Sequence, residues 1–225
     1  MIVLVLSDLH FGNQVNTQKQ RALKKLIMLA DKVIINGDFW DRYLTTFDQF
    51  VNSDWAKLFL LLKQKKTVYL FGNHDPQKLI DKRVSWFCVQ TGFEYDLDIS
   101  GQKYHIEHGD RLKPACWLLD FLADLSFSIS GVYWSTKIFV FCQTLFVKVF
   151  GIKLYQKIHN GENLRVLRAW QKKCLNKNYW LVCGHTHSAV FDKKEKYINT
   201  GFCRFGYLQY LTINNQKLSL KTIRY

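Results

Sequence analysis

Residues of metal-ligand type recur in five short blocks: Asp8-Leu9-His10, Gly37-Asp38 with Asp41, Gly72-Asn73-His74-Asp75, His108-Gly109-Asp110 and Gly184-His185-Thr186-His187. Carboxylates, imidazoles and one amide, with no thiolate, suit borderline or hard divalent ions such as Mn²⁺, Fe²⁺, Zn²⁺ or Ni²⁺. There are more ligands than one ion with an open position would use. Two ions sharing a carboxylate is therefore the economical expectation, with Asp38 as the bridge. Two such ions about 3.5–4 Å apart can hold a hydroxide between them at neutral pH and clamp a phosphate oxygen during in-line displacement. Phosphoryl hydrolysis is the expected chemistry.

The elements that must position these residues can be read from the same stretches. The blocks end or follow short apolar runs, IVLVLS (2–7), KVIING (32–37), TVYLFG (67–72), YHIEHG (104–109) and YWLVCG (179–184), whose β-branched and aromatic content predicts strands. Between the early runs, Ala22, Leu23, Leu26, Ile27, Leu29 and Ala30, and then Trp55, Leu58, Phe59, Leu61 and Leu62, fall at helical spacing. Alternating strands and helices predict an α/β layered core. Ligands of such sheets bind outside the carboxyl ends of the strands, so blocks far apart in sequence are expected on one edge. The glycines beside Asp38, Asn73, His108 and His185 allow tight turns, and positive φ where it is needed.

In the blocks SDLH, NGDFWDR, GNHD, HGD and GHTH the sequence resembles the calcineurin-like metallophosphoesterase family, over residues 3 to 110 and 179 to about 206. The resemblance implies a four-layer α/β/β/α sandwich of two packed sheets flanked by helices. It implies that Asp8, His10, Asp38 and His187 hold one metal ion, most readily Mn²⁺, and that Asp38, Asn73, His108 and His185 hold the other. His74 would be a non-ligand histidine that stabilises the transition state or protonates the leaving oxygen, with Asp75 orienting it. Asp41 and Asp110 are either supports of the ligands or turn residues. Arg42 and Arg111, which follow site blocks directly, are the expected phosphate-binding arginines. Arg204 reads by default as a surface residue, and His105 and His159 as structural or exposed.

From about Leu112 to Asn178 the rhythm breaks into a region with the aromatic helix-length segments CWLLDFLADLSFSIS and STKIFVFCQTLFVKVFG and with eight basic residues from Lys137 to Lys173. We expect a helical cap over 112–178 inserted in a single domain spanning 1–225. Asp120, Asp124, Lys137 and Lys148 interrupt the apolar stretch, so no transmembrane span is expected. A basic, greasy cap instead suits a ligand or an anionic membrane face. The hydrophobic content of 48% is enough for one sizeable core. Six cysteines without a C-x-x-C pair fit reduced thiols. The N-terminus reaches Asp8 too soon for a signal peptide. The expected location is cytoplasmic, with peripheral contact at the inner membrane face.

The net charge of +14 suits phosphorylated partners. A cap after HGD resembles the UDP-2,3-diacylglucosamine diphosphatase branch, which implies a lipid-linked nucleotide substrate, with Trp117, Phe121, Phe139 and Phe146 covering an acyl pocket. One departure is His74, where the best-known members of that branch carry Arg after the Asn of GNHD and general phosphoesterases carry His. A phosphodiesterase or phosphatase acting on nucleotides or nucleic acid is the enzyme alternative. Nucleic acid is not the expected partner, because the insertion is greasy and no nucleic-acid module motif is present. A metal-free scaffold built on the same fold is the non-enzymatic alternative.

Overall fold

The structure is a computed structural model that describes residues 1–112, 130–174 and 178–225. Its strands alternate in side-chain direction, and that alternation builds two separate cores. In β1 (Ile2–Leu6) and β2 (Lys32–Asn36), Leu4, Leu6, Val33 and Ile35 share a core with α1 (Thr17–Leu29), α2 (Phe47–Val51) and α3 (Phe59–Gln64), through Leu23, Ile27, Phe50, Phe59 and Leu62. Val3, Val5 and Ile34 face the opposite way, into an apolar layer between two sheets. Period-two alternation in a strand buried on both faces gives this two-sided burial.

The first sheet continues with β3 (Val68–Leu70) and β4 (Gln90–Gly92), both parallel to β2, while β10 (Tyr207–Asn214) and β11 (Lys217–Arg224) add antiparallel strands beside β1. In the second sheet, β5 (Glu94–Ile99), β6 (Gln102–Glu107), β7 (Trp180–Cys183), β9 (Tyr197–Asn199) and β8 (Val190–Asp192) lie in that order. Tyr104, Ile106, Val182 and Ile198 close the inter-sheet core against Val68 and Leu70. The outer face of this sheet is covered by Val166, Leu167 and Trp170 of α4 (Ser130–Lys173). Helices, sheet, sheet and helix form the expected α/β/β/α order.

α4 is helical on both sides of Gly151, whose φ of +82° and ψ of 160° break it into two arms. Only glycine adopts that conformation without a Cβ penalty. The second arm is anchored over β7 and β9. The first arm keeps Trp134, Ile138, Phe141, Leu145 and Val149 exposed, with only Val147 and its neighbours packed on Phe202. Between Tyr133 and Lys173 an 18-residue window reaches a mean hydropathy of 1.6 with 11% of it buried, so this helix is long and apolar enough by length and composition to cross a membrane. That differs from the expectation that Lys137 and Lys148 shorten the stretch too far, because two charges leave an 18-residue window apolar on average. Trp117 and Phe121 lie outside the described residues. Among the described residues the five cysteines, Cys88, Cys142, Cys174, Cys183 and Cys203, are free.

Candidate metal centre

All seven expected ligands come from loops leaving β1, β2, β3, β6 and β7, and the packing of the two sheets brings these loops together. Five of the seven turn the chain with left-handed backbone: Asp8 (φ 53°), His10 (46°), Asp38 (52°), His185 (65°) and His187 (54°). Non-glycine residues enter this region at a cost, and such conformations cluster at functional sites. Here they turn each side chain back over its own strand end toward a common point.

At that point Asp8 Oδ1 lies 3.1 Å from His187 Nε2 and 3.9 Å from His10 Nε2. The two imidazole nitrogens are themselves 3.1 Å apart. Asp38 Oδ2 stands 3.6 Å from His10 Nε2 on one side and 3.3 Å from His108 Nε2 on the other. Asn73 Oδ1 and His185 Nδ1 are 3.0 Å apart. Three overlapping sets, Asp8 with His10 and His187, Asp8 with Asp38 and His108, and His10 with Asp41 and His74, place ligand atoms within 4.8 Å of one another.

The remaining atoms of these side chains are held by the protein. Asp8 uses Oδ2 to accept the His185 amide at 3.0 Å, and Asp38 uses Oδ1 to accept the His74 amide at 2.9 Å, so each turns its other oxygen inward. His108 donates from Nδ1 to the Asn36 carbonyl at 2.9 Å, and His10 from Nδ1 to Asp41 Oδ2 at 3.1 Å. Tyr155 Oη lies 3.5 Å from His187 Nδ1. A partner on Nδ1 fixes the tautomer that leaves Nε2 free to ligate. Asp8 Oδ1 and His108 Nε2 are buried without a hydrogen bond. Orphaned acceptors of this kind, aimed at one centre, fit a cation.

The electrostatics match the ligand role at Asp8, His10 and His185, whereas at His108 burial would lower the imidazole but the Asp38 and Asp8 carboxylates raise it well above its ordinary value, and a cation held by those carboxylates would remove that pull. Burial alone would raise the Asp8 carboxyl, but the neighbouring His187 and His108 imidazoles override it and hold it at about 2. Burial, with the positive charge of Arg204, drives His10 down to about 3, and burial with His108 drives His185 to about 3. The carboxylate thus stays ionised and these two imidazoles neutral, the protonation states in which they bind metal.

Two expectations change. Asp75 does not reach His74: its oxygens accept the amides of Asp38 (3.0 Å), Phe39 (2.7 Å) and Gly72 (2.7 Å) and the Tyr69 hydroxyl (2.6 Å). It is a buried clamp between the β2 and β3 loops. Asp41 orients His74 instead, through Oδ1 at 3.1 Å from Nδ1. Burial would lower His74, but the carboxylates of Asp41 and Asp38 raise it to about 9. The glycines also differ in their reasons. Gly37 and Gly109 do need positive φ, whereas at Gly72 and Gly184 a Cβ would collide with the Asp38 and Asp8 carboxylates.

Arg42 is buried, with its backbone amide donating to the His74 carbonyl at 3.1 Å and its guanidinium to the Tyr43 hydroxyl at 2.9 Å. Arg111 is exposed and lies 4.6 Å above the Phe93 ring. Asp110 is half-buried in the turn after His108. His105 stacks on Trp170 at 4.4 Å and His159 bonds the Tyr155 carbonyl, both in structural settings. Two cap residues carried no legible motif. Asn163 accepts from Thr186 and Tyr197, both at 2.8 Å, and donates to the Ser188 carbonyl at 3.0 Å, which ties α4 to the His185–His187 loop. Tyr155 approaches His187 itself.

Lys19 was also silent in the sequence. It is buried on α1, where its ammonium donates to the Leu9 carbonyl between Asp8 and His10. Burial, reinforced by the charge of Arg204 and opposed by Cys203, depresses it to about 7. The unfolded chain therefore binds more protons at this site from about pH 7 up to the ordinary lysine range near 10.4, and its cost to stability is greatest below that window and fades through it. Lys19→Met should accordingly melt above the wild type at pH 7, with a gap that narrows toward pH 10. A constant gap in Tm across the window would show that the lysine is not depressed.

The chain belongs to the calcineurin-like phosphoesterase family, whose model matches residues 1–189. Similar solved structures include an archaeal phosphodiesterase (17% identity, TM-score 0.53, all of both chains covered) and the phosphoesterase Yfce from E. coli (16%, 0.53, covering 100% of this chain and 99% of that one). Vps29 of Entamoeba histolytica complexed with Zn²⁺ is also similar (15%, 0.51, 100% and 98% covered). At these identities the likeness concerns the fold. No curated protein matches the chain.

Proposed function

We propose that the protein is a dimetal hydrolase of phosphate esters or anhydrides. Asp8, His10, Asp38 and His187 would hold one divalent ion and Asp38, Asn73, His108 and His185 the other, with Mn²⁺ the first choice for so oxygen- and imidazole-rich a set. The observation that carries the reading is Asp38 Oδ2, which lies between His10 and His108 at 3.6 and 3.3 Å and so belongs to both groups. When bound, such a pair of ions lowers the pKa of water and offsets the charge of a phosphate oxygen. The protein's own share is positioning and proton transfer. His74, partly exposed and held through Nδ1 by Asp41, would use its other nitrogen as the acid that protonates the leaving oxygen.

For the substrate we propose a nucleotide diphosphate-linked lipid like that of UDP-2,3-diacylglucosamine diphosphatase. Its support is an apolar cleft of about 310 Å³ at the bend of α4, bounded by Phe139, Phe146, Tyr155 and Ile158. Tyr155 joins this cleft to His187, so an acyl chain there would lie beside the reacting end. The exposed apolar stripe of the first arm, flanked by Lys137, Lys148, Lys153 and Lys157, suits contact with an anionic membrane at the cytoplasmic face. The second reading, a general phosphodiesterase on unacylated esters, is favoured by His74 standing where that branch has Arg.

A panel decides between them. Mn²⁺-loaded protein is assayed on bis-p-nitrophenyl phosphate, a nucleoside diphosphate sugar, and UDP-2,3-diacylglucosamine in detergent micelles. We expect the acylated compound to be preferred. Equal or better turnover of the unacylated compounds would remove the lipid reading and keep the hydrolase.

A further inference from the structure

Beside His10 lies a second cavity of about 330 Å³, whose lining does not include His108. Three cations from three separate parts of the fold line it: Lys19 of α1, Lys137 on the first arm of α4, and Arg204 in the loop after β9. No Asp or Glu side chain is among its described lining residues, and among the described residues none of the three cations has a carboxylate within ion-pair distance. Lys19 is only 6% exposed, and its ammonium meets one backbone carbonyl and the face of Phe11 at 4.9 Å. A buried ammonium is ordinarily paired, and gathering two more cations around it raises the cost further. Asn16, the N-cap of α1, also lines the cavity, so the positive end of that helix adds to the field.

The wall shared with the metal centre is His10. A phosphoryl group held there would therefore have its neighbouring group at the mouth of this cavity. Trp55 cannot serve as a stacking platform for a planar ring, since it is buried with its face against Phe11 at 3.7 Å. The recognition chemistry that remains is charge. We propose that Lys19, Lys137 and Arg204 form a subsite for a second anionic group of the substrate, the non-reacting phosphate of a diphosphate. The proposal rests on the phosphoesterase reading and selects, within it, substrates with two phosphates over simple monoesters and diesters.

The test uses the full chain and two readouts. In calorimetry on metal-stripped protein, inorganic pyrophosphate should bind the wild type, and the double variant Lys137→Gln/Arg204→Gln should weaken it roughly tenfold, as expected for lost charge-assisted hydrogen bonds. Unchanged affinity would overturn the proposal. In the metal-loaded enzyme the same variant should raise KM for a nucleoside diphosphate sugar roughly tenfold more than KM for bis-p-nitrophenyl phosphate, which carries one anionic group. Equal changes on both compounds would mean that the two residues only tune the metal centre. Orthophosphate that fills the cavity without competing with the sugar nucleotide would make it a free-phosphate site and also overturn the proposal. A protein inactive on both compounds that still binds pyrophosphate through Lys137 and Arg204 would sink the hydrolase reading and keep the anion subsite.

Discussion

Asp38→Ala should abolish hydrolysis and metal retention together. The inward oxygen of Asp38 stands 3.6 Å from His10 and 3.3 Å from His108, so its removal should take a ligand from each ion at once. It also takes away the acceptor of the His74 amide, loosening the loop that carries Asn73. Metal analysis of the purified variant should fall from about two ions per chain to below one, with activity at background. Retention of both ions would exclude Asp38 as the bridge. A wild-type chain that holds no ions under metal-replete conditions would favour a scaffold over an enzyme.

His74→Ala should instead separate the two properties. Its ring is held by Asp41 at 3.1 Å, and its group with His10 and Asp41 shares only His10 with the seven proposed ligands. Turnover of substrates with poor leaving groups should drop by roughly 10²–10⁴, the usual worth of a positioned general acid, while metal content stays close to that of the wild type. The deficit should shrink for p-nitrophenyl esters, whose leaving group needs no proton. Metal loss equal to that of Asp38→Ala would make His74 a ligand and overturn this division of roles.

Asp41 and Asp75 show where reading the sequence stops. Both are acidic, both stand within three residues of a site block, and nothing local separates the one that orients His74 from the one that clamps backbone amides. The choice depends on how the β2 and β3 loops cross, which brings Asp41 beside a histidine 33 positions away. Arg204 is similar. Its neighbours in sequence mark it as a surface residue, and only the packing of α1, α4 and the β9 loop around one cavity gives it two cationic companions.

The sequence by itself determined the alternation of strands and helices, the ligand types and their placement at strand ends, because these follow from periodicity and from side-chain chemistry that a few consecutive residues express. The tertiary structure decided which carboxylate serves which histidine, why Gly72 and Gly184 must lack a side chain, and how Tyr155 and Asn163 reach the His185–His187 loop. Those are matters of van der Waals space and hydrogen-bond direction between segments as much as 177 residues apart. They exist only once the two sheets have packed face to face and closed the distance.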